Sequence, residues 1–297
     1  MPRTLVIGLT ESGTRTTINE DTFTCGGRTY PDMITGSEEQ TAGDNDDVQL
    51  YMVTRGVGGS GAGDLAGRIA QRVGHDMTDA LVASGHRAMD IRRFADAFAA
   101  DVHQRVIRNI APRGDLRIGT ACALVLLLHD QAYCVNVGAT RIYLFRENRL
   151  RRLTQDDAHE ILLGDRQLPA IPSPDTVLQL DIRPGDIFLL CTPGFSDGFD
   201  EETMERDLAS PDAFAATIRQ LQIDSRSADS TENGTLLGVK VRDLNVPLDV
   251  HPPKSVMPMS APAPAPMPPE GPSPMPPKPK KKKSNVKTFL LSLLMGF

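Results

Sequence analysis

Two segments of this 297-residue chain repeat an apolar residue at helical spacing, and they constrain the fold more than any other feature. Between Gly63 and Ser84, Leu65, Ile69, Val73, Met77 and Leu81 recur every four positions, with Asp64, Arg68, Arg72 and Asp76 on another face. A second stripe begins near Asp90 with Ile91, Phe94, Phe98, Val102, Val106 and Ile110, and stops at Pro112-Arg113-Gly114. The other apolar runs are short and rich in β-formers. Thr4 to Thr10 and Val48 to Thr54 precede the helices. TACALVLLLHD, QAYCVNVG, TRIYLFREN and RLRRLT follow from Thr120 as a meander of antiparallel strands. Asp186 to Thr192 predicts another strand, Phe214 to Leu221 a short helix after Ser210-Pro211, and Thr235 to Val241 a closing strand. Two long helices among many short strands predict an α+β sandwich and argue against a doubly wound parallel sheet.

The folding part has a boundary that composition sets. Of 23 prolines, 13 fall between Pro252 and Pro279, where missing backbone donors favour an extended chain. The expected organisation is a domain over 1–248, a Pro-rich disordered linker over 249–279, and a polybasic segment with a short apolar tail over 280–297. The closing TFLLSLLMGF is apolar for about ten positions, roughly half of a bilayer-spanning helix. Beside Lys280, Lys281, Lys282, Lys283 and Lys287 it suits the headgroup region of an anionic membrane.

Net charge is −6, and five lysines sit within 278–283, so the domain is more acidic than the whole. Nucleic acid is therefore not expected as a partner. Cys25, Cys122, Cys134 and Cys191 form no CxxC pair, and the last three lie in apolar runs, which points to a reducing compartment without disulfides. The opening MPRTLVIGLTESG has neither a long apolar core nor a small-residue cleavage site of the signal-peptide kind. A cytoplasmic location is expected, with a peripheral position at the inner membrane face through the tail.

Several polar clusters punctuate the predicted elements. They are Asn19-Glu20-Asp21, the Gly-rich turn Thr54 to Gly63, Gly138-Ala139-Thr140-Arg141, Leu190 to Asp197, and Glu232-Asn233-Gly234-Thr235. The Gly-rich turn lacks the GK[ST] ending of a phosphate loop and the G-x-G-x-x-G of a dinucleotide site. Ser60, within G-G-S-G-A-G, is only superficially similar to a nucleophile elbow, and the α/β-hydrolase strand order is missing. His75, His86, His103, His129, His159 and His251 show no metal-ligand spacing and are assigned structural or solvated roles.

In this order the clusters resemble those of the metal-dependent protein phosphatase family, the phosphatase 2C or PPM family, over residues 1–242. Asn19 to Asp21 is similar to its Asn-Glu-Asp segment, and Val53 to Gly59 to its Val-Ala-Asp-Gly-Met-Gly-Gly turn. Gly138 to Arg141 resembles Gly-Asp-Ser-Arg, Leu190 to Asp197 resembles Leu-Cys-Ser-Asp-Gly-Leu-Thr-Asp, and Glu232 to Thr235 resembles Asp-Asn-x-Thr. The resemblance implies a four-layer α-β-β-α sandwich of two antiparallel sheets flanked by helices. It also implies dephosphorylation of phosphoserine and phosphothreonine by a water held between two Mn²⁺ or Mg²⁺ ions on carboxylates.

Set against the family pattern, the metal positions are degenerate. The bridging Asp is Arg55, followed by Gly56; the Asp of Ser-Asp-Gly falls on Pro193; the Asp of Asp-Asn is Glu232, beside Asn233; and the Gly-Asp-Ser-Arg Asp is Ala139. The family Arg that grips phosphate corresponds to Thr16, one place from Arg15. The stretch after Thr154 lacks the longer His-Pro-containing segment of active members, suggesting a trimmed flap, and Asp156 and Asp157 read as a polar turn.

Glu20, Asp21 and Glu232 remain, and Arg55 is expected to replace the metals as their counter-charge. The leading expectation is a pseudophosphatase, a catalytically inactive binding or regulatory module in Ser/Thr phosphorylation signalling. No cofactor is expected, and the partner is a protein or phosphoprotein. The alternative is a divergent active phosphatase with Mn or Mg on Glu20, Asp21, Glu232 and a shifted Asp197. A third expectation gives the main role to the tail, whose PxxP segments such as Pro269 to Pro272 suit aromatic grooves.

Overall fold

A computed structural model describes residues 2–15, 18–32, 38–44, 46–85, 89–155, 160–210, 213–226 and 230–244. The chain divides into two compact units, Met1–Leu248 and Asp249–Phe297. The expected linker, lysine cluster and apolar tail belong to the second unit and lie outside the described residues, as do Thr16, Asp156, Asp157, His86, His159 and His251.

The first unit holds twelve strands and five helices among the described residues. They run β1 (Pro2–Glu11), β2 (Asp21–Cys25), β3 (Arg28–Tyr30), β4 (Glu38–Asp44), β5 (Val48–Val57), α1 (Ala62–Ala83), α2 (Ile91–Asn109), β6 (Gly119–Leu128), β7 (Gln131–Val137), β8 (Arg141–Arg146), β9 (Arg149–Arg152), β10 (Thr176–Asp181), β11 (Ile187–Cys191), α3 (Pro193–Ser196), α4 (Glu201–Leu208), α5 (Phe214–Ser225) and β12 (Gly234–Leu244). Every strand pairing is antiparallel. One sheet has the order β4-β1-β12-β11-β8-β9 and the other β10-β7-β6-β5-β2-β3.

The inner faces of the sheets meet in one core that includes Val6, Phe23, Tyr51, Val125, Phe188 and Val239. The outer face of the β6-containing sheet packs on α1 and α2 through Met52, Leu124, Val73, Phe98 and Val102. Ile7, Tyr143 and Leu189 on the other outer face pack on α3, α4 and α5 through Phe195, Met204 and Ile218. The result is the expected α-β-β-α sandwich. Covering on both faces explains why β6, GTACALVLLL, is buried at every position and reads as a continuous apolar run.

Three sequence expectations need correction. The meander after Thr120 is divided between the sheets: β6 pairs with β7 and β8 with β9, but β7 and β8 lie in different sheets. Along α1 the deepest face is formed by small residues, Ala66, Gly67, Ala70 and Gly74, together with Val73, while Leu65 is 44% exposed. Asp64 is buried beside Arg68, with a carboxylate oxygen 2.9 Å from the guanidinium, and does not face solvent. Finally β2, β3, β4, β10, α3 and α4 were not anticipated.

The second stripe holds better. Asp90 caps α2 by accepting from the Arg93 N–H at 3.1 Å, and Phe94, Phe98, Val102 and Val106 are buried. α1 has no such cap, since its N-cap residue is Gly61 with φ 80°. Its unsatisfied N–H groups are met from another element, which brings the chain to the site.

Candidate functional site

The sequence clusters gather where the ends of β2, β5, β11 and β12 approach the Gly-rich turn. Register places Asp21 of β2 opposite Arg55 of β5. Gly56 donates its N–H to the Glu20 carbonyl at 3.1 Å, and a Cβ there would lie 2.3 Å from the Gly63 backbone, so the position accepts only glycine. Next, Gly58, Gly59, Ser60 and Gly61 all have positive φ. That left-handed run turns backbone N–H groups toward Glu20. Its carboxylate accepts from Gly59 at 3.0 Å, Gly61 at 3.0 Å and Gly63 at 3.2 Å, closing the N-terminus of α1 with a negative charge.

Asp21, the next residue, enters the space between the sheets. Its Oδ2 accepts hydroxyl hydrogen bonds from Thr192 at 2.7 Å and Thr235 at 2.9 Å. Thr235 also contacts the Thr10 hydroxyl at 2.7 Å, Thr10 accepts from Asn19 Nδ2 at 2.8 Å, and the Thr235 N–H donates to Thr192 Oγ1 at 3.0 Å. With Asn19 donating first, each hydroxyl passes one hydrogen onward until the carboxylate. Burial pushes the Asp21 carboxyl up to about 7 against the lowering influence of the two threonines and Arg55, and Glu232 adds to the rise.

Arg55 bridges to other carboxylates. It pairs with Glu160 through Nη1, and its Nη2 stands 3.7 Å from Glu232 Oε2. Burial pulls its pKa down, but Glu160, Asp21 and Glu232 outweigh that and hold the guanidinium above its ordinary value. Glu160 is shared: Arg117 Nη1 lies 3.6 Å from its other oxygen, Arg117 Nη2 donates to the Glu160 carbonyl at 2.6 Å, and Arg117 Nε binds Asp165 at 2.7 Å. Glu232 is shared likewise, with Arg15 Nη2 at 2.5 Å from its Oε1.

Two backbone features fix the Glu232 loop. Asn233 Oδ1 accepts from the Gly13 N–H at 3.0 Å, and Arg226 donates to the carbonyls of Gly194, Glu232 and Ser12 at 3.3, 2.9 and 3.1 Å. Pro193 opens α3 and offers no side-chain donor to the site. Asp197 is held by Arg141 Nη2 at 3.1 Å.

The expected counter-charge role of Arg55 therefore needs revision in its partners. Glu232 and Asp21 lie near the guanidinium, but Glu20 is committed to α1, and the strongest contact is Glu160, which sequence reasoning missed. No spacing signal links Glu160 to Arg55.

A binuclear Mn or Mg site needs carboxylates converging with free oxygens. Here Glu20 caps a helix, Asp21 receives two hydroxyls, Glu232 is paired with two arginines, and the Arg55 guanidinium stands where the sequence resemblance puts a carboxylate. The residues do not fit the two ions. Among the described residues no three His, Cys, Asp or Glu side chains form a group able to hold a metal, and the shifted set with Asp197 is not assembled. His103, given a structural role from the sequence, accepts the Gly164 N–H at 3.0 Å.

Comparison with known proteins supplies the lineage. The family model for protein phosphatase 2C matches residues 28–160. The chain is 26% identical over 223 residues to the serine/threonine phosphatase stp of Listeria monocytogenes, covering 67% of this chain and 86% of that protein. Over these residues the chain is similar to the protein phosphatase 2C family. It is also 23% identical over 216 residues to the Mycobacterium tuberculosis serine/threonine protein phosphatase PstP, spanning 66% of this chain and 41% of that longer protein. The fold of the chain matches the crystal structure of the PstP catalytic domain in complex with two manganese ions. The TM-score is 0.62 at 21% identity, over 80% of this chain and 100% of that one.

Proposed function

We propose that this phosphatase 2C-like chain is a pseudophosphatase, a binding or regulatory module in Ser/Thr phosphorylation signalling that holds a protein or phosphoprotein without turning it over. The observation that carries the reading is Arg55. A guanidinium at the bridging position, ion-paired to Glu160 and Glu232, repels divalent cations and occupies the carboxylates that would hold them. Pro193 supports the same reading, because it removes a second ligand position outright. The location proposed is cytoplasmic, with Lys280 to Lys283 and the apolar tail drawing the chain to an anionic membrane surface. No helix among the described residues is long and apolar enough to cross a membrane.

The active alternative draws support from the solved relative with two manganese ions. The discriminating experiment is hydrolysis of an aryl phosphate and a phosphothreonine peptide by the full chain with millimolar Mn²⁺ or Mg²⁺, with metal content measured in parallel. The expected result is neither turnover nor bound metal above background. Metal-dependent turnover that disappears in Asp21→Asn or Glu232→Gln overturns the proposal.

A further inference from the structure

Between α5 and the β1–β4 edge of its sheet lies an open groove of about 370 Å³. Its apolar part is Leu9, at the margin of the core under the helices, and Ile223, which at 64% exposure is the barest large apolar side chain among the described residues. Its polar part is acidic. Glu11, Glu38 and Glu39 stand in the wall against Arg219, and a negative charge is left over even when Arg226, with Nε 3.8 Å from Glu11, is counted in. Arg219 is committed to Glu39, its Nη2 at 2.6 Å. Glu38 has no cation among the described residues. Its Oε2 accepts the Asp32 N–H at 2.9 Å and its Oε1 the Gln40 amide at 2.8 Å, two neutral donors that fix the carboxylate without cancelling its charge. A second observation comes from Gln222 in the same wall. It is 5% exposed, its Nε2 donates to the Gly234 carbonyl at 3.1 Å, and its Oε1 is buried with no hydrogen-bond partner. A buried acceptor left unpaired is costly and calls for a donor.

We infer that this groove docks an arginine side chain carried by an extended segment of a partner protein. The two halves of the groove suit the two halves of that side chain. A long cationic side chain lays its methylene stem along apolar surface and keeps its head at the polar edge. Here the stem covers Ile223 and Leu9, and the planar head, with five donors in a fixed fork, serves the Glu38 carboxylate and the empty Gln222 Oε1 together. Lysine gathers its three donors on one atom and spans acceptors on two different elements less well. The partner's backbone has a place too, because β4 is the last strand of its sheet and its outer side offers main-chain groups to an added strand. The groove shares no charged residue with the Arg55 cluster. Docking there holds whether or not the chain turns over phosphate, so its failure and that of the pseudophosphatase reading are distinguishable.

The test is a titration of the isotope-labelled full chain, followed by NMR, with the end-blocked peptide Thr-Val-Arg-Val-Thr and with forms carrying citrulline, lysine or glutamate in place of arginine. The arginine peptide should shift the amide signals of Leu9, Glu38, Glu39 and Ile223 saturably. Raising salt from about 50 to about 500 mM should weaken it about threefold, since the charges are exposed to screening. Citrulline keeps the shape without the charge, and it and glutamate should bind at least about tenfold more weakly, lysine about threefold. Glu38→Gln and Ile223→Ser, with folding confirmed by the rest of the spectrum, should each weaken the arginine peptide about fivefold. Equal affinity for the citrulline or lysine peptide overturns the inference, as does binding untouched by either variant. The absence of a saturable shift at the groove with about 10 mM arginine peptide, beyond the millimolar range of the weakest specific binding, overturns it as well. A second copy of the chain is the other occupant: a dimer in light scattering that Ile223→Ser splits makes the groove a self-interface and refutes the docking of a partner.

Discussion

Replacing Glu20 by Gln should destabilise the metal-free protein, because Glu20 acts as the cap of α1. The carboxylate is 6% exposed and accepts three backbone N–H groups. Oε1 serves Gly61 and Gly63, and Oε2 serves Gly59. In Gln the remaining carbonyl can keep the first pair, but the amide nitrogen then meets the Gly59 N–H donor to donor. One hydrogen bond to a charged acceptor is lost, worth about 1.5–3 kcal/mol, and the helix loses a negative charge at its N-terminus, worth about 0.3–1 kcal/mol. The expected cost is about 2–4 kcal/mol, which in a domain of this size lowers the melting temperature by roughly 5–15 °C. Urea denaturation of wild type and Glu20→Gln, both treated with chelator, measures it. Had Glu20 its main role as a metal ligand, the substitution would leave the chelated protein untouched, and a loss below about 0.5 kcal/mol would refute the capping argument.

The remaining predictions concern burial. Asp21 has a folded pKa near 7, above its unfolded value, so the native state binds the extra proton between about pH 4 and 7; its stabilising contribution is complete below that window and is lost as pH rises through 7. Asp21→Asn should therefore gain on wild type by up to about 4 kcal/mol between pH 4 and 8, and a stability difference independent of pH in urea titrations would contradict this. Arg226→Met removes the donor to three loop carbonyls and should cost about 2–4 kcal/mol by chemical denaturation; a neutral result would show that the Glu232 loop is held otherwise. On α1, Leu65→Gln should stay within about 0.5 kcal/mol of wild type, while Ala66→Leu should cost about 1–3 kcal/mol or more, and the opposite order of melting temperatures would restore the Leu65 face to the core.

The elements that sequence reading found are those whose period is unambiguous. α2 repeats its large apolar residues on one face, and β6 and β11 are continuous apolar runs because layers cover them on both sides. In α1 the stripe located Val73, Ile69, Met77 and Leu81 against the core but not the deepest contacts, which Ala66, Gly67, Ala70 and Gly74 make with little hydropathy of their own. β4, EEQTAGD, is an edge strand that offers the core one small apolar side chain, Ala42, and so shows no period, and β2 is too short to show one. At the site, local motifs located Glu20, Asp21, Arg55, Pro193 and Glu232 but not what each one touches. Glu160 is 105 residues from Arg55, and Arg117 has no motif around it, so the ion-pair cluster is a product of tertiary placement alone.

Glu20 immediately precedes β2 and Asp21 opens it, and the opposite directions of their side chains have a diagnostic consequence. Glu20 serves the helix layer and Asp21 the seam between sheets. Each has a task in folding that involves no ion, so an acidic pair at this point is retained by architecture whether or not chemistry is performed. Its presence in a related sequence is then uninformative about turnover. Arg55 and Pro193, which carry no such second duty, are the positions on which the proposed loss of turnover rests.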